Sequence, residues 1–539
     1  MSKIEKSGQF FLKLAADQNY YGKRLRDTKL ETAEKMLASA KIGGVEPSDL
    51  VDWLDANKPA KPAKQPAKQA TSKPAADTLT AGHSTRQVLP EIKTLDRVIV
   101  TSAQNNTAVN AAAWEALQQF ASENDAQILI LPVFYNKNAF SPSVESEGEY
   151  FADILRPYMV LDDSTVFGGL VTLAAGAAIV PTAKLPVNAA ATLNAGELVT
   201  LVGSPKQQLK TLISSPSLPT REAWATGAIT NLNYTRSRAG SEASADHTFG
   251  GVLLELAQDG TVYTTNLVYK AGEIQHYASA SDAVLVLGDL HCEVKDPDNW
   301  ERTLNLLDEV QPSLIVVHDI LHFSTRSHHN RNDGKHLYTT RDQRVVDDLK
   351  TVIADLNTLA EIAPVYVVES NHNSALDNWC HDIGYNPKRD PHQAKFYYLL
   401  NWLICEALDN DSASGQLALQ VALENLDKFG DFPELSDRIE FGRMDESYTR
   451  YGYELSQHGH KGQNGSAGST GLFSRWGLPM VTGHTHSPAL IGSCATTGVT
   501  AALCQGYNRG GGSSWQQSHV AVLPNGAAQI VPMRGLKAI

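Results

Sequence analysis

Apolar residues in the second half of this chain fall into short runs, and five of these runs stop abruptly at metal-capable polar side chains. Asp282-Ala-Val-Leu-Val-Leu-Gly-Asp-Leu-His291 ends in Asp289 and His291, and Ser313-Leu-Ile-Val-Val-His-Asp319 ends in Asp319 and continues to His322. Val365-Tyr-Val-Val-Glu-Ser-Asn-His372 ends in Asn371 and His372. Gly452-Tyr-Glu-Leu-Ser-Gln-His-Gly-His460 and Leu478-Pro-Met-Val-Thr-Gly-His-Thr-His486 each end in a histidine pair. Runs of this length and composition predict buried strands. Residues two apart on an extended chain project to the same side, so Asp289 and His291 can converge on one ion. Ligands of open α/β sheets bind at that carboxyl edge.

Between the first runs the spacing predicts helices at Trp300 to Val310 and Arg341 to Ile362, the alternation of a layered α/β domain over residues 279–539. Past Val499, short apolar runs rich in glycine predict further strands that complete a second sheet, and Gly510-Gly-Gly512 marks a flexible loop near the site. Upstream, residues 85–278 read as a mixed α/β domain: strands at Arg97 to Thr101, Gln127 to Leu131, Leu198 to Val202 and Gly250 to Glu255, and a helix from Ala108 to Glu123. The strand, helix and strand before Pro132 resemble the opening of the nitrilase-like fold, whose chemistry needs a nucleophilic cysteine. No cysteine precedes Cys292, so that chemistry is excluded. The cluster Arg236, Ser237, Arg238, Asp246 and His247 reads as a turn network, with a phosphate grip as the alternative.

Residues 58–84 carry Lys-Pro-Ala repeats and predict an extended linker that packs against nothing. Before it, residues 1–57 show helical spacing in three stretches, the last from Val45 to Leu54, and predict a small basic bundle. Charge supports a separate role for this end. Residues 1–75 hold 14 Lys and Arg against 9 Asp and Glu, while the whole chain carries −13, so the remainder is strongly acidic. A basic appendage on an acidic body suggests either a tether for an anionic partner or lysines that only keep a linker soluble, and the bundle itself reads as a docking module first, with a DNA contact as the alternative.

Composition is that of a soluble globular protein, with 42% apolar and 19% charged residues in 539. The absence of a long apolar run or a secretory segment predicts a cytoplasmic protein without a membrane partner. Five cysteines without zinc-knuckle spacing read as reduced thiols. Histidine is the informative residue: 15 of 17 fall at or after His276.

Gly288-Asp289-Leu290-His291 and Gly483-His484-Thr485-His486, with the three runs between them, resemble the five blocks of the calcineurin-like metallophosphoesterase superfamily. Two interior blocks depart from its pattern: His318-Asp319 stands for Gly-Asp, and Asn373 replaces an acid after Asn371-His372. The resemblance implies two divalent ions, Mn foremost, with Fe, Zn or Mg as alternatives. Asp289, His291 and His486 would hold one ion and Asn371, His458 and His484 the other, with Asp319 shared. His460 competes with His458, which is favoured because it sits at the strand end. The resemblance further implies that His372 protonates the leaving oxygen or stabilises its charge.

The substrate is read from block two. His322 gives Asp-x-x-His, as in the SbcD-like DNA-repair nucleases, and the segment after it offers Arg326, His328, His329, Arg331, Lys335 and His336 as a phosphate-backbone cradle, with Lys461 and Arg475 nearby. The chain also resembles the large metallophosphoesterases of tailed phages, including pre-early DNA-transfer proteins linked to host DNA degradation, which would place it in the host cytoplasm. A Mn-dependent deoxyribonuclease with His322 and His372 in catalytic roles is the expectation. A phosphatase or cyclic-nucleotide phosphodiesterase is the enzymatic alternative, and a regulatory scaffold with a vestigial site the non-enzymatic one. A homo-oligomer is compatible with the sequence.

Overall fold

The computed structural model describes residues 46–56, 77–78, 96–135, 150–215, 218–326, 333–381, 385–386, 388, 390–409, 417–443, 445–505, 508, 510–533 and 536–537. The chain forms two compact units, Met1–Lys73 and Pro74–Ile539. In the first, helix α1 spans Pro47–Ala56, opening on a proline whose missing N–H costs nothing in the first turn. The two helices expected before it lie outside the described residues.

The second unit opens with β1 (Arg97–Gln104), α2 (Ala111–Glu123) and β2 (Gln127–Val133). The Asn110 side chain caps α2 by accepting from the Ala113 N–H at 3.1 Å. There follow β3 (Val171–Ala174), β4 (Val199–Val202), β5 (Ser204–Leu212), β6 (Arg221–Gly227), β7 (Gly250–Leu256) and β8 (Thr261–Lys270). Next come β9 (Val284–Val286), α3 (Pro297–Val310), β10 (Leu314–Val317), α4 (Val345–Ile362), β11 (Val365–Val367) and β12 (Ile439–Phe441). The last strands are β13 (Tyr453–Glu454), β14 (Met480–Thr482), β15 (Ala489–Ile491), β16 (Cys494–Thr496), β17 (Ser518–Val522) and β18 (Ala528–Pro532).

Three mixed sheets result. One contains β8, β7, β1 and β2 in that order, with β1 and β2 parallel. A second runs β12, β11, β10, β9, β17, β18; its first four strands are parallel and β17 and β18 antiparallel. The third has ten strands and joins β13, β14, β16 and β15 to β5, β6, β4 and β3. Its seam is β15 against β5, where Leu490 stands opposite Leu209. Val100, Leu129, Leu209, Trp224, Val286, Val316, Val481 and Ala495 share one core, so the ten-stranded sheet packs on both of the others. On the far face of the second sheet, α3 and α4 bury Leu307, Leu349, Val352 and Leu356. The first sheet is covered by α2 through Trp114, Leu117 and Phe120. Asn266 of β8 ties the two smaller sheets, donating to the Ala528 carbonyl at 2.8 Å and accepting from the Ile530 N–H at 2.9 Å.

Three expectations change. Residue 278 does not separate compact units, because strands from both sides of it share the ten-stranded sheet and one core. The late strands β17 and β18 do not complete a second sheet but extend the one that holds β9, where Val520 pairs with Val286. Within the expected linker, Asp77 and Thr78 pair with Phe151 and Tyr150. The proline repeats end at Pro74, so Asp77 and Thr78 keep the amide N–H groups that a ladder needs. All five cysteines are free thiols. No helix among the described residues is long and apolar enough to cross a membrane.

Candidate metal centre

The carboxyl ends of β9, β10 and β11 and of β13 and β14 converge, so two sheets build one site. Backbone hydrogen bonds carry the pairing of β9 and β10 past the strands: Leu290 N–H donates to the His318 carbonyl at 3.1 Å, and His291 N–H to the Asp319 carbonyl at 2.8 Å. Gly483 N–H donates to the His458 carbonyl at 2.8 Å, which links the other two loops. Asp289, His291 and Asp319 are buried at 0%, 0% and 1% exposure, and His458 at 0%, depths at which an uncompensated charge is costly.

Three groups of ligand atoms emerge among the described residues: Asp289, His291, Asp319 and His486; Asp319, His458 and His484; and His291, His322 and His372. Asp319 belongs to the first two, and His291 joins the first to the third. Asp319 Oδ2 lies 3.2 Å from His458 Nε2 and 3.8 Å from His291 Nε2. Asp289 Oδ2 lies 3.1 Å from His486 Nε2 and accepts from the His484 N–H at 2.8 Å. His291 Nε2 and His486 Nε2 approach to 3.1 Å, and Asn371 Oδ1 stands 3.1 Å from His458 Nε2. The seven side chains that the resemblance implies as ligands therefore occur together. His460 is less buried than His458 and joins none of the three groups.

The backbone is strained where these side chains are presented. His291, Asp319, His484 and His486 have φ of 44°, 44°, 73° and 56°, values that non-glycine residues hold only when the surroundings over-determine them. Gly483 is required at its place for a different reason: a Cβ there would lie 2.2 Å from Asp289 Oδ1.

Protonation suits cation binding. Burial alone would raise the Asp319 carboxyl, but the His458, His372 and His291 imidazoles outweigh it and hold the group well below the usual carboxylate range. Burial is likewise outweighed at Asp289, chiefly by His486 and His458, and its carboxyl is also lowered. Burial and then His372 push His291 well below the ordinary imidazole range and His322 to about 4. Burial with His458 lowers His318 to about 4 and His460 to about 3. Two ionised carboxylates thus sit beside His291 and His484, both held below the ordinary imidazole range, whereas at His458 the Asp319 and Asp289 carboxylates outweigh burial and raise the imidazole, so ligation there would displace a proton. Asp289 Oδ1 and Asp319 Oδ2 are buried without a hydrogen-bond donor. Buried anionic oxygens in that condition fit divalent ions.

The outer contacts follow. His322 Nδ1 lies 3.3 Å from His291 Nδ1, and His318 Nδ1 lies 3.4 Å from His458 Nδ1. A histidine that ligates through Nε2 carries its proton on Nδ1, so each outer imidazole serves as the acceptor that fixes its tautomer. Sequence reading took His318 only as a lost glycine; its buried apolar context was the available signal. His372 donates from Nδ1 to the His322 carbonyl at 3.1 Å, and its N–H reaches Asp319 Oδ1 at 3.3 Å. Asn373, in place of the expected acid, braces the loop by donating to the Val368 carbonyl and accepting from the Leu321 N–H.

The expected cradle fares differently. Arg326 is committed to Asp390 through two contacts of 2.7 and 3.1 Å, with its side chain 8% exposed, so it cannot serve as a free phosphate contact. His336 engages the Ser324 carbonyl at 2.7 Å. Lys335, Lys461 and Arg475 are exposed. His328, His329 and Arg331 lie outside the described residues. In the upstream turn network, His247 meets the Tyr234 hydroxyl at 2.7 Å and Asp246 meets the buried Lys206 at 3.0 Å.

No protein-family model matches the chain. Over 551 aligned positions it is 31% identical to protein A1 of Escherichia phage T5, and the alignment covers 98% of each protein. A solved structure overlaps 47% of this chain and 99% of its own at 10% identity and a TM-score of 0.24, too low to carry an argument.

Proposed function

Because this chain belongs to the family of protein A1 of Escherichia phage T5, we propose that it is a phage-type phosphodiester hydrolase with a two-metal centre, acting on DNA with Mn as the working ion. The observation that carries this reading is the sharing of Asp319 between two buried ligand groups. Asp289, His291 and His486 would hold one ion, Asn371, His458 and His484 the second, and Asp319 both. Such ions, when bound, supply Lewis-acid polarisation of a phosphoryl oxygen and acidify water. The layered arrangement of strands around the site fits the metallophosphoesterase resemblance carried by the five blocks.

The remaining steps fall to side chains of this chain. His372 uses Nδ1 to hold the His322 carbonyl, which leaves Nε2 as the atom that takes up a proton and passes it to the departing oxygen. His322 holds His291 in the ligating tautomer through their 3.3 Å contact, so its role is positioning. The Asp-x-x-His order of Asp319 and His322, which resembles that of the SbcD-like nucleases, favours DNA over a small ester.

One observation favours a phosphatase or cyclic-nucleotide phosphodiesterase instead: Arg326, expected to grip a phosphate backbone, is spent on Asp390. Purified full-length protein with Mn, offered plasmid DNA or p-nitrophenyl phosphate, separates the two. Nicked or degraded plasmid is expected; fast turnover of the small ester with intact plasmid would overturn the nuclease reading.

A further inference from the structure

The turn that follows His291 reaches across to the loop that follows Asp319. Cys292–Val294 form a short 3₁₀ turn, and Cys292 N–H donates to the Ile320 carbonyl at 3.0 Å, which sets the two segments side by side. The middle residue of that turn, Glu293, commits both carboxyl oxygens to this neighbour. Its Oε2 accepts from the His322 N–H at 2.7 Å and its Oε1 from the Phe323 N–H at 2.9 Å.

Two consecutive N–H groups converge on one carboxyl group only in an uncommon backbone, and Phe323 takes φ of 52°. Its side chain is fully buried, with its ring centre 6.2 Å from that of Trp379, so the core pins the loop from the other side. The Phe323 N–H and the His322 carbonyl belong to one peptide group, which is planar, with the two bonds pointing opposite ways. Glu293 holds the N–H end, and the carbonyl end accepts from His372 Nδ1 at 3.1 Å. Fixing one end of the plane therefore fixes the other, and an N–H engaged by an acceptor makes its own carbonyl a stronger acceptor.

We propose that Glu293 is the positioning residue for His372: through the peptide between His322 and Phe323 it fixes the imidazole with its proton on Nδ1, which leaves Nε2 for the departing oxygen. This rests on the phosphodiesterase reading of the metal centre. Glu293 joins none of the three ligand groups among the described residues, so the ion sites are complete without it. Its effect on the reaction runs through the outer histidines.

The test compares wild type, Glu293→Gln, Glu293→Asp, His372→Gln and the Glu293→Gln/His372→Gln double variant, all full-length and at saturating Mn. Two phosphodiesters are offered: bis(p-nitrophenyl) phosphate, whose p-nitrophenolate departs without a proton, and a thymidine dinucleotide, whose alkoxide needs one. Glu293→Gln sets an amide NH₂ against one of the two backbone donors. Its kcat on the dinucleotide should fall about 10- to 100-fold, the worth of an outer partner of this kind, with a smaller loss on the p-nitrophenyl ester. Glu293→Asp keeps both oxygens and should recover part of the loss, and it carries the comparison if Glu293→Gln does not fold. The double variant should be no slower than His372→Gln, because the two residues act as a unit. Equal losses on both substrates, or losses that multiply in the double variant, would overturn the assignment. The ¹⁵N shifts of the His372 ring report its tautomer without any substrate: Nδ1 should carry the proton in wild type and lose that preference in Glu293→Gln, and an unchanged tautomer would overturn the assignment too. Wild type that cleaves neither ester while the tautomer responds would overturn the phosphodiesterase reading and leave the positioning of His372 standing.

Discussion

Replacing Gly483 by alanine would put a methyl group 2.2 Å from Asp289 Oδ1 and 3.2 Å from Cγ of His318. Carbon atoms in good contact sit about 3.5 to 4.0 Å apart, so the carboxylate must retreat by more than 1 Å. It has nowhere to go. Asp289 is 0% exposed, and its second oxygen accepts from the His484 N–H at 2.8 Å. Gly483 itself is not in the left-handed region, so backbone strain plays no part and the effect comes from crowding alone. Overpacking of this kind costs about 1 to 3 kcal/mol. If the displaced oxygen is an ion ligand, that cost appears as a loss of about 5- to 150-fold in metal affinity. Isothermal titration with Mn and metal analysis of the purified protein would measure it. Gly334→Ala is the control, because nothing lies within 4 Å of its added Cβ and its φ is ordinary. Gly483→Ala protein that binds Mn with unchanged affinity and stoichiometry would show that Asp289 Oδ1 is not a ligand.

Asp319→Asn should bind fewer ions than wild type and lose hydrolysis of every substrate, since Asp319 belongs to two of the three ligand groups; full metal content in that variant would refute the sharing. His372→Ala should retain its metal while turnover falls about 10²- to 10⁴-fold, and unchanged kcat would dismiss the leaving-group role. Arg326→Ala should lower the melting temperature by leaving Asp390 unpaired, with a loss of about 1 to 3 kcal/mol; weaker DNA binding at unchanged stability would restore it as a phosphate contact. Asp377 gives a pH prediction away from the metal centre. Burial raises its carboxyl to about 7, partly offset by the Ala418 N–H. The folded protein therefore keeps a proton that the unfolded chain loses near pH 4, and stability drains away as pH rises from about 4 to 7. Asp377→Asn should unfold at a higher temperature than wild type at pH 8 and show no such gain at pH 4; a constant difference across that range would refute it.

The five strand ends were legible in sequence because each is a local pattern, an apolar run and then a ligand, and β9, β10, β11, β13 and β14 deliver the side chains where those runs stop. The same holds for α2, whose amphipathic spacing and Asn110 cap are written within a few residues. What sequence could not reveal is which strands share a sheet. Leu490 meets Leu209 across a separation in the chain that no short-range period records, and the seam alone merges the two halves. Arg326 was misread for the same reason: a cationic side chain looks free until folding brings Asp390 to it. His318 gained its meaning in that way too, from His458. Local periodicity is set by the geometry of a strand or a helix, and so it survives in one dimension. Pairing partners and tautomer-fixing contacts depend on long loop closures, and only the packed structure selects among them.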